Sequence, residues 1–197
     1  MFTKTEIRIL ELFTSNITSS FTIREVSRLI SKDLKIVHSS IKQLLEKKYL
    51  LKDKEIFLNY KSNIAELAFI ERIRAAAFLA KNDLLNTYVS NFIKKSKTKF
   101  FTLMVFGSYA SGKQKKDSDI DLIAITPDIG EGFERSLKSS FSARNLKLHL
   151  TCIDQAGFLE MLRKRDELNV VNESLNNHIL LYGAEQYYAM LEERDVN

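Results

Sequence analysis

The chain has 197 residues, of which 45% are hydrophobic and 28% are charged, and its formal net charge is +5. A single Pro and 6 Gly argue against a fibrous or linker-rich protein, and the single Cys excludes a disulfide framework or a multi-cysteine zinc site within the chain. No apolar run is long enough to span a bilayer, and the N-terminus lacks the apolar core of a signal peptide, so we expect no membrane association and a cytoplasmic location.

The charge is distributed unevenly along the chain. Residues 1–98 carry 18 Lys and Arg against 10 Asp and Glu, whereas residues 99–197 carry 12 against 15. The basic first half suggests a polyanionic partner, although solvated helix faces would give the same charge balance.

The first 61 residues have the pattern of three helices and a hairpin. Thr3 with Glu6, and Thr22 with Glu25, have the spacing of capping boxes and predict helices that start at these points. A third helix is expected after a turn at residues 31–33, and two short extended pieces at 49–51 and 55–60 follow it. The apolar face predicted for the third helix consists of Leu34, Val37, Ile41, Leu44, Leu45 and Lys48.

The segment KIVHSSIKQLLEKKYLL resembles the recognition helix and wing entry of winged helix-turn-helix domains. That resemblance implies duplex DNA as a partner, with the third helix in the major groove, and a palindromic site would imply a homodimer. Small domains of this kind also mediate protein contacts, so a protein-interaction module is the alternative. The expected DNA-contacting residues lie opposite the apolar face or on the hairpin: Lys35, Ser39, Lys42, Gln43 and Lys52.

Residues 62–98 are interpreted as a helical connector. Helices are predicted at 63–79 and 83–93, and a basic stretch follows them. The apolar face predicted for the first of these helices consists of Ile64, Leu67, Ile73, Ala76 and Ala77.

Residues 100–126 carry the chemistry. An apolar strand at 100–106 runs into Gly107 and Ser108, and a second strand begins with Asp119 and Asp121. Strand alternation directs these two carboxylates to one face, where their repulsion is relieved if a cation such as Mg²⁺ lies between them. Gly permits close approach to a phosphate, which free N–H groups at a helix start also favour.

The Gly-x-x-x-x-Gly-Lys spacing from Gly107 to Lys113 is close to that of a P-loop. Gln114, however, stands where a P-loop has the Ser or Thr that binds magnesium. Only a short polar stretch separates Lys113 from the next strand, whereas a P-loop leads into a long helix. A P-loop is therefore excluded.

The run VFGSYASGKQKKDSDIDLIAI resembles the DNA polymerase beta-like nucleotidyltransferases, and in particular their minimal prokaryotic members. The resemblance implies a nucleotidyltransferase fold with a mixed sheet over residues 99–197. It also implies that Gly107 and Ser108 bind the nucleotide, and that Asp119 and Asp121 are catalytic, metal-binding carboxylates for Mg²⁺ and an NTP. Such a protein transfers a nucleoside monophosphate to an acceptor that the sequence does not identify.

The third carboxylate of this family has no clear counterpart. It is expected on the strand at 146–153, where His149 is the best-aligned residue. His149 could accept a proton, or it could be only a strand residue. Asp154 is better explained as the N-cap of a helix at 155–164.

Two other functions remain open. The nucleotidyltransferase domain could sense a nucleotide without turnover in a DNA-binding regulator. Minimal nucleotidyltransferases are also often antitoxins of HEPN-type ribonuclease toxins, although such antitoxins usually lack an attached winged helix.

Overall fold

The computed structural model describes residues 1–115, 117–128, 131–141, 147–164 and 166–194. Its first part has the predicted element order of three helices followed by an antiparallel hairpin. The elements are α1 (Lys4–Thr14), α2 (Ile23–Leu29), α3 (Leu34–Glu46), β1 (Leu50–Lys52) and β2 (Ile56–Leu58).

Side-chain caps fix where these helices begin. The hydroxyl of Thr3 accepts a hydrogen bond from the Glu6 backbone N–H, and the Glu6 carboxylate accepts one from the Thr3 N–H in return. Thr22 and Glu25 form the same reciprocal pair at α2. Both predicted capping boxes are therefore confirmed, and each satisfies backbone donors that a helix start leaves free.

The buried face of α3 is narrower than the sequence predicts. Val37, Ile41 and Leu44 are buried, whereas Leu34 is 43% exposed at the start of the helix. Lys48 is exposed and has a positive φ beyond the helix end, so it does not continue the apolar face. The predicted apolar spacing holds only for the middle of the helix.

Two helices, α4 (Ile64–Leu79) and α5 (Asp83–Lys95), lead to the larger sheet. The predicted apolar face of α4 is wrong at Ala76 and Ala77, which are exposed, while Glu71 is fully buried. The reason is that α4 contacts α1 and later parts of the chain, so its covered face is set by several neighbours. Arg74 holds both Glu71 carboxylate oxygens at 2.7 Å and compensates the buried charge.

The larger sheet is mixed, as expected for this fold class, with strand order β5-β4-β3-β6. Strands β4 and β5 are parallel, and the other two pairings are antiparallel. The strands are β3 (Thr102–Phe106), β4 (Ile120–Thr126), β5 (Leu148–Asp154) and β6 (Ile179–Tyr182). The helices between and after them are α6 (Gly107–Ala110), α7 (Glu131–Ser140), α8 (Gln155–Arg163), α9 (Val170–Ser174) and α10 (Ala184–Arg194).

One predicted helix is much shorter than expected. The sequence predicts helix at residues 166–176, but α9 covers only Val170–Ser174. The Asn169 side chain accepts a hydrogen bond from the Asn172 N–H at 2.9 Å, so this cap starts the helix late. Part of the predicted strand at 146–153 lies outside the described residues, since residue 146 is not among them.

Each face of the larger sheet packs against its own hydrophobic cluster. Leu103, Leu122 and Ala124 face the cluster that contains α5 and α7 side chains, including Phe92 and Leu137. Met104, Ile123 and Ile153 face the other, which also contains residues of α1 and α3 such as Phe13 and Ile41. The N-terminal helices and one sheet face therefore share a core.

Hydrogen bonds also join the chain that follows α1 to the segment that precedes β6. The Asn177 N–H donates to the Ser15 carbonyl at 2.6 Å, and the Asn176 side chain donates to the Thr18 hydroxyl at 2.6 Å.

Across the part of the chain that the structure describes, no helix combines the length and apolar character needed to cross a bilayer.

Candidate active site

The site is built where β3 ends beside β4. Phe106, the last residue of β3, is the cross-strand partner of Asp121, and Gly107 follows it with φ +69°. A Cβ on Gly107 would lie 2.8 Å from Oδ2 of Asp121, closer than such atoms approach. Glycine at this point therefore allows the chain to turn without displacing the Asp121 carboxylate.

Ser108 lies in a tight turn that holds its backbone in place. Its carbonyl accepts hydrogen bonds from the Lys113 N–H at 2.9 Å and from the Ser111 hydroxyl at 3.1 Å. The turn includes the four-residue helix α6, and the described chain then reaches β4 without a long helix. The exclusion of a P-loop is thereby confirmed.

The two carboxylates lie at the entry to β4. Ile120 is buried, and its N–H donates to the Lys147 carbonyl at 2.9 Å, which continues the pairing with the chain before β5. Asp119 is exposed, and the Asp121 side chain retains 30% exposure. By strand alternation both flank Ile120 on the opposite face of the sheet.

This donor set fits a hard divalent cation. Mg²⁺ is bound in proteins through one or two carboxylates together with waters and substrate phosphates. Within the described residues no group of three or more His, Cys, Asp and Glu side chains is placed to hold a metal by itself. In such a site Asp119 and Asp121 would supply carboxylate ligands, and waters and substrate phosphates would complete the coordination shell.

His149 lies beside Asp121 on the neighbouring parallel strand. The two residues are register partners, and Nδ1 of His149 is 3.4 Å from Oδ1 of Asp121. The imidazole is 69% exposed. Asp154, the nearest acid along the chain, accepts a hydrogen bond from the Gly157 N–H at 2.7 Å and caps α8, which confirms its predicted structural role. Among the described residues, the strand register pairs Asp121 with one titratable side chain, the His149 imidazole.

The residues predicted to contact DNA lie on α3 and β1, in the N-terminal part of the chain. All five, namely Lys35, Ser39, Lys42, Gln43 and Lys52, are exposed. Lys35, Ser39 and Gln43 line one shallow groove of about 480 Å³ between α3 and the start of α1. Lys42 and Lys52 lie outside this groove. Its other lining residues are Thr3, Thr5, Ile36 and Ser40.

Sequence reasoning missed Ile36, which is 51% exposed in this groove. An apolar residue in an amphipathic helix is usually assigned to the core. The available signal was its position outside the buried row of Val37, Ile41 and Leu44.

Comparison with known families places these features in context. Residues 88–186, just over half of the chain, match the family model described as Polymerase beta, Nucleotidyltransferase. No curated protein and no solved structure matches the chain. The matched segment contains Gly107, Ser108, Asp119, Asp121 and His149. The chain therefore belongs to the polymerase beta nucleotidyltransferase family.

Proposed function

We propose that this protein is a Mg²⁺-dependent nucleotidyltransferase that transfers a nucleoside monophosphate from an NTP to an acceptor hydroxyl. The observation that supports this most strongly is the contact between the Gly107 turn and Asp121. It brings the predicted phosphate-binding turn and a predicted metal-binding carboxylate to the same end of β3 and β4.

In this proposal each residue has a separate role. Gly107 and Ser108 bind the phosphates through the backbone and the Ser108 hydroxyl. Asp119 and Asp121 would hold Mg²⁺, which screens the triphosphate charge. The acceptor oxygen forms a bond to the α-phosphorus while the bond to the leaving pyrophosphate breaks. The acceptor proton has to leave as that bond forms.

His149 is the described side chain best placed to take that proton. It is exposed to an incoming acceptor, and it is a register partner of Asp121. Histidine is the side chain that most often acts as a general base. If His149 is only a strand residue, the proton passes to solvent, and the family's third carboxylate has no functional replacement.

Transfer is tested by incubating the protein with each α-labelled NTP, Mg²⁺ and a cell extract. We expect label in one acceptor, and a His149→Ala variant should lose about 10²–10⁴-fold in transfer rate while it still binds Mg·NTP. Undiminished transfer in that variant would remove His149 from the mechanism. Absence of labelled product in the wild type would favour nucleotide sensing without turnover.

A second proposed function, duplex DNA binding, rests on the exposed polar face of α3. We propose that residues 1–61 form a winged helix-turn-helix domain, residues 62–98 a connector and residues 99–197 the nucleotidyltransferase domain. Residues 1–61 carry 12 Lys and Arg against 7 Asp and Glu, a charge suited to phosphate contact. Salt-dependent gel shifts of the whole chain on duplex DNA test this function.

A further inference from the structure

A second groove, of about 500 Å³, begins directly after the phosphate-binding pair. The turn after Ser108 forms one wall, and α1 and α4 form the other. It is lined by Glu11, Ser15, Arg74, Ala77, Phe78, Lys81, Asn82, Tyr109, Ala110, Gly112, Gln114 and Ile179. The N-terminal helix therefore contributes part of a cleft beside the nucleotidyltransferase site.

The charged groups of this groove differ in how they are used. Arg74 is occupied by Glu71 and also donates to the Thr14 hydroxyl and the His178 carbonyl. The Glu11 carboxylate, by contrast, has no hydrogen bond or ion pair to any residue that the structure describes. Burial raises the pKa of Glu11, and Arg74 and Arg8 only partly oppose this effect. Glu11 is thus a partly buried acceptor that lines the groove.

An NTP with its phosphates at Gly107 and Ser108 could extend its nucleoside in two directions, and the surface of the protein differs between them. Toward β5 lies the exposed His149 side chain, where an acceptor has free access. Toward α1 and α4 lies a concave surface with the size typical of small-molecule sites, and two of its lining residues, Phe78 and Tyr109, are half-buried aromatics. Aromatic side chains are suitable stacking partners for a nucleobase.

We propose that this groove holds the nucleoside of the NTP and that Glu11 selects guanine by accepting hydrogen bonds from its N1–H and 2-amino groups. This inference rests on the proposed nucleotide binding by Gly107 and Ser108. A carboxylate has two acceptor oxygens and pairs best with two adjacent donors. Guanine presents two such donors side by side, whereas adenine, cytosine and uracil each place an acceptor beside the donor.

Calorimetry with three Mg²⁺-loaded probes tests the proposal on the whole chain. GTP carries both donors, ITP lacks only the 2-amino group, and inorganic tripolyphosphate lacks the nucleoside. We expect GTP to bind roughly tenfold or more tightly than ITP, because a hydrogen bond to a charged group is lost. Glu11→Gln should abolish this preference and leave tripolyphosphate affinity unchanged.

The matched control is Glu66→Gln, which alters an exposed carboxylate outside the groove. It should keep the wild-type preference for GTP. Equal affinities for GTP and ITP in the wild type, or a preference that survives Glu11→Gln, would overturn the proposal. If none of the three probes binds, the phosphate site itself fails, and this result is distinct from loss of base selection alone.

Discussion

Gly107 lies so close to the Asp121 carboxylate that a side chain at position 107 would collide with it: a Cβ there would lie 2.8 Å from Oδ2 of Asp121. Gly112, five residues later, has nearly the same φ, +68° against +69°, but nothing lies within 4 Å of its Cβ position. An alanine at position 112 therefore introduces only an unfavourable backbone conformation, whereas an alanine at position 107 also displaces the Asp121 carboxylate.

This difference gives the first prediction. Gly107→Ala and Gly112→Ala should each lose about 1–2 kcal/mol of unfolding free energy, because both place a Cβ at positive φ. Only Gly107→Ala should also lose binding of Mg²⁺-loaded tripolyphosphate, since it moves Asp121. Tripolyphosphate is the probe because Gly112 lines the proposed nucleoside groove. Urea denaturation and calorimetry measure the two effects, and equal tripolyphosphate affinity in both variants would contradict the assigned role of the contact.

The second prediction concerns the ion pairs of α4. Arg74 is 10% exposed and neutralises the fully buried Glu71, whereas Arg72, 61% exposed, pairs with Glu185 at 2.7 Å on the surface. Arg74→Met should cost about 3–5 kcal/mol of unfolding free energy, because it leaves a buried charge uncompensated. Arg72→Met serves as the matched control and should cost less than about 1 kcal/mol.

Urea denaturation of the two arginine variants compares them directly. Similar losses would show that the Glu71 carboxylate does not depend on Arg74. The comparison also tests how α4 is joined to the C-terminal part of the chain. Glu71 accepts a hydrogen bond from Tyr188 of α10 at 3.1 Å, and Arg74 donates one to the His178 carbonyl next to β6.

The third prediction concerns pH. Burial, with a smaller effect of Arg74, lowers the pKa of His178 from 6.5 to about 3. Between these values the unfolded chain binds a proton that the folded chain does not, so this residue makes stability rise with pH and fall on acidification. The slope approaches about 1.4 kcal/mol per pH unit.

Substitution of His178 removes this slope. Between pH 6.5 and 5 the wild type should lose about 2 kcal/mol more unfolding free energy than His178→Phe, measured by urea denaturation at both pH values. His38→Phe alters an exposed imidazole and should keep the wild-type slope. Parallel pH profiles for wild type and His178→Phe would refute the proton linkage.

The fourth prediction concerns DNA. In gel shifts of the whole chain on a pool of randomised duplexes, each phosphate contact contributes about −0.9 to the slope of log K against log salt. Lys42→Ala and Lys52→Ala should each make that slope shallower by about 0.9 and weaken binding to most sequences alike. Ser39→Ala and Gln43→Ala should instead relax the sequence preference of the selected duplexes.

Lys164→Ala, which removes the exposed lysine that follows α8, is the control and should leave binding unchanged. No shift of any duplex at low salt would exclude the DNA-binding proposal and favour a protein-interaction role for residues 1–61. A palindromic selected site would indicate a dimer with half-sites spaced by about 10 base pairs or a multiple.

The sequence predicts those features that depend on local pattern. The sequence pattern alone predicts the capping residues Thr3 and Thr22, the strand that ends just before Gly107 and the later strand that carries Asp121. The structure confirms them. Burial of Glu71 could not be predicted, because its partners Arg74 and Tyr188 come from one helical turn away and from 117 residues later. Amphipathic spacing carries no information about such contacts.

In the candidate site, too, some residues are predicted by the sequence pattern, whereas others are found only from the fold. The spacing of Ser108 and Asp119 predicts which residues bind phosphate and metal, but the register that pairs His149 with Asp121 is a property of the folded sheet. Glu11 had no sequence signal, since it lies about 100 residues before the turn that it faces. Residues that act across an interface of distant segments are found only when the fold is known.

Calorimetric titration of Mg·NTP into the wild type and into the Asp119→Asn/Asp121→Asn variant tests whether these two carboxylates hold the metal. The variant keeps side-chain size but removes both charges, so nothing offsets the dehydration of the cation. We expect Mg²⁺-dependent binding in the wild type and its loss in the variant. Equal Mg·NTP affinity in the two proteins would show that Asp119 and Asp121 do not bind the metal.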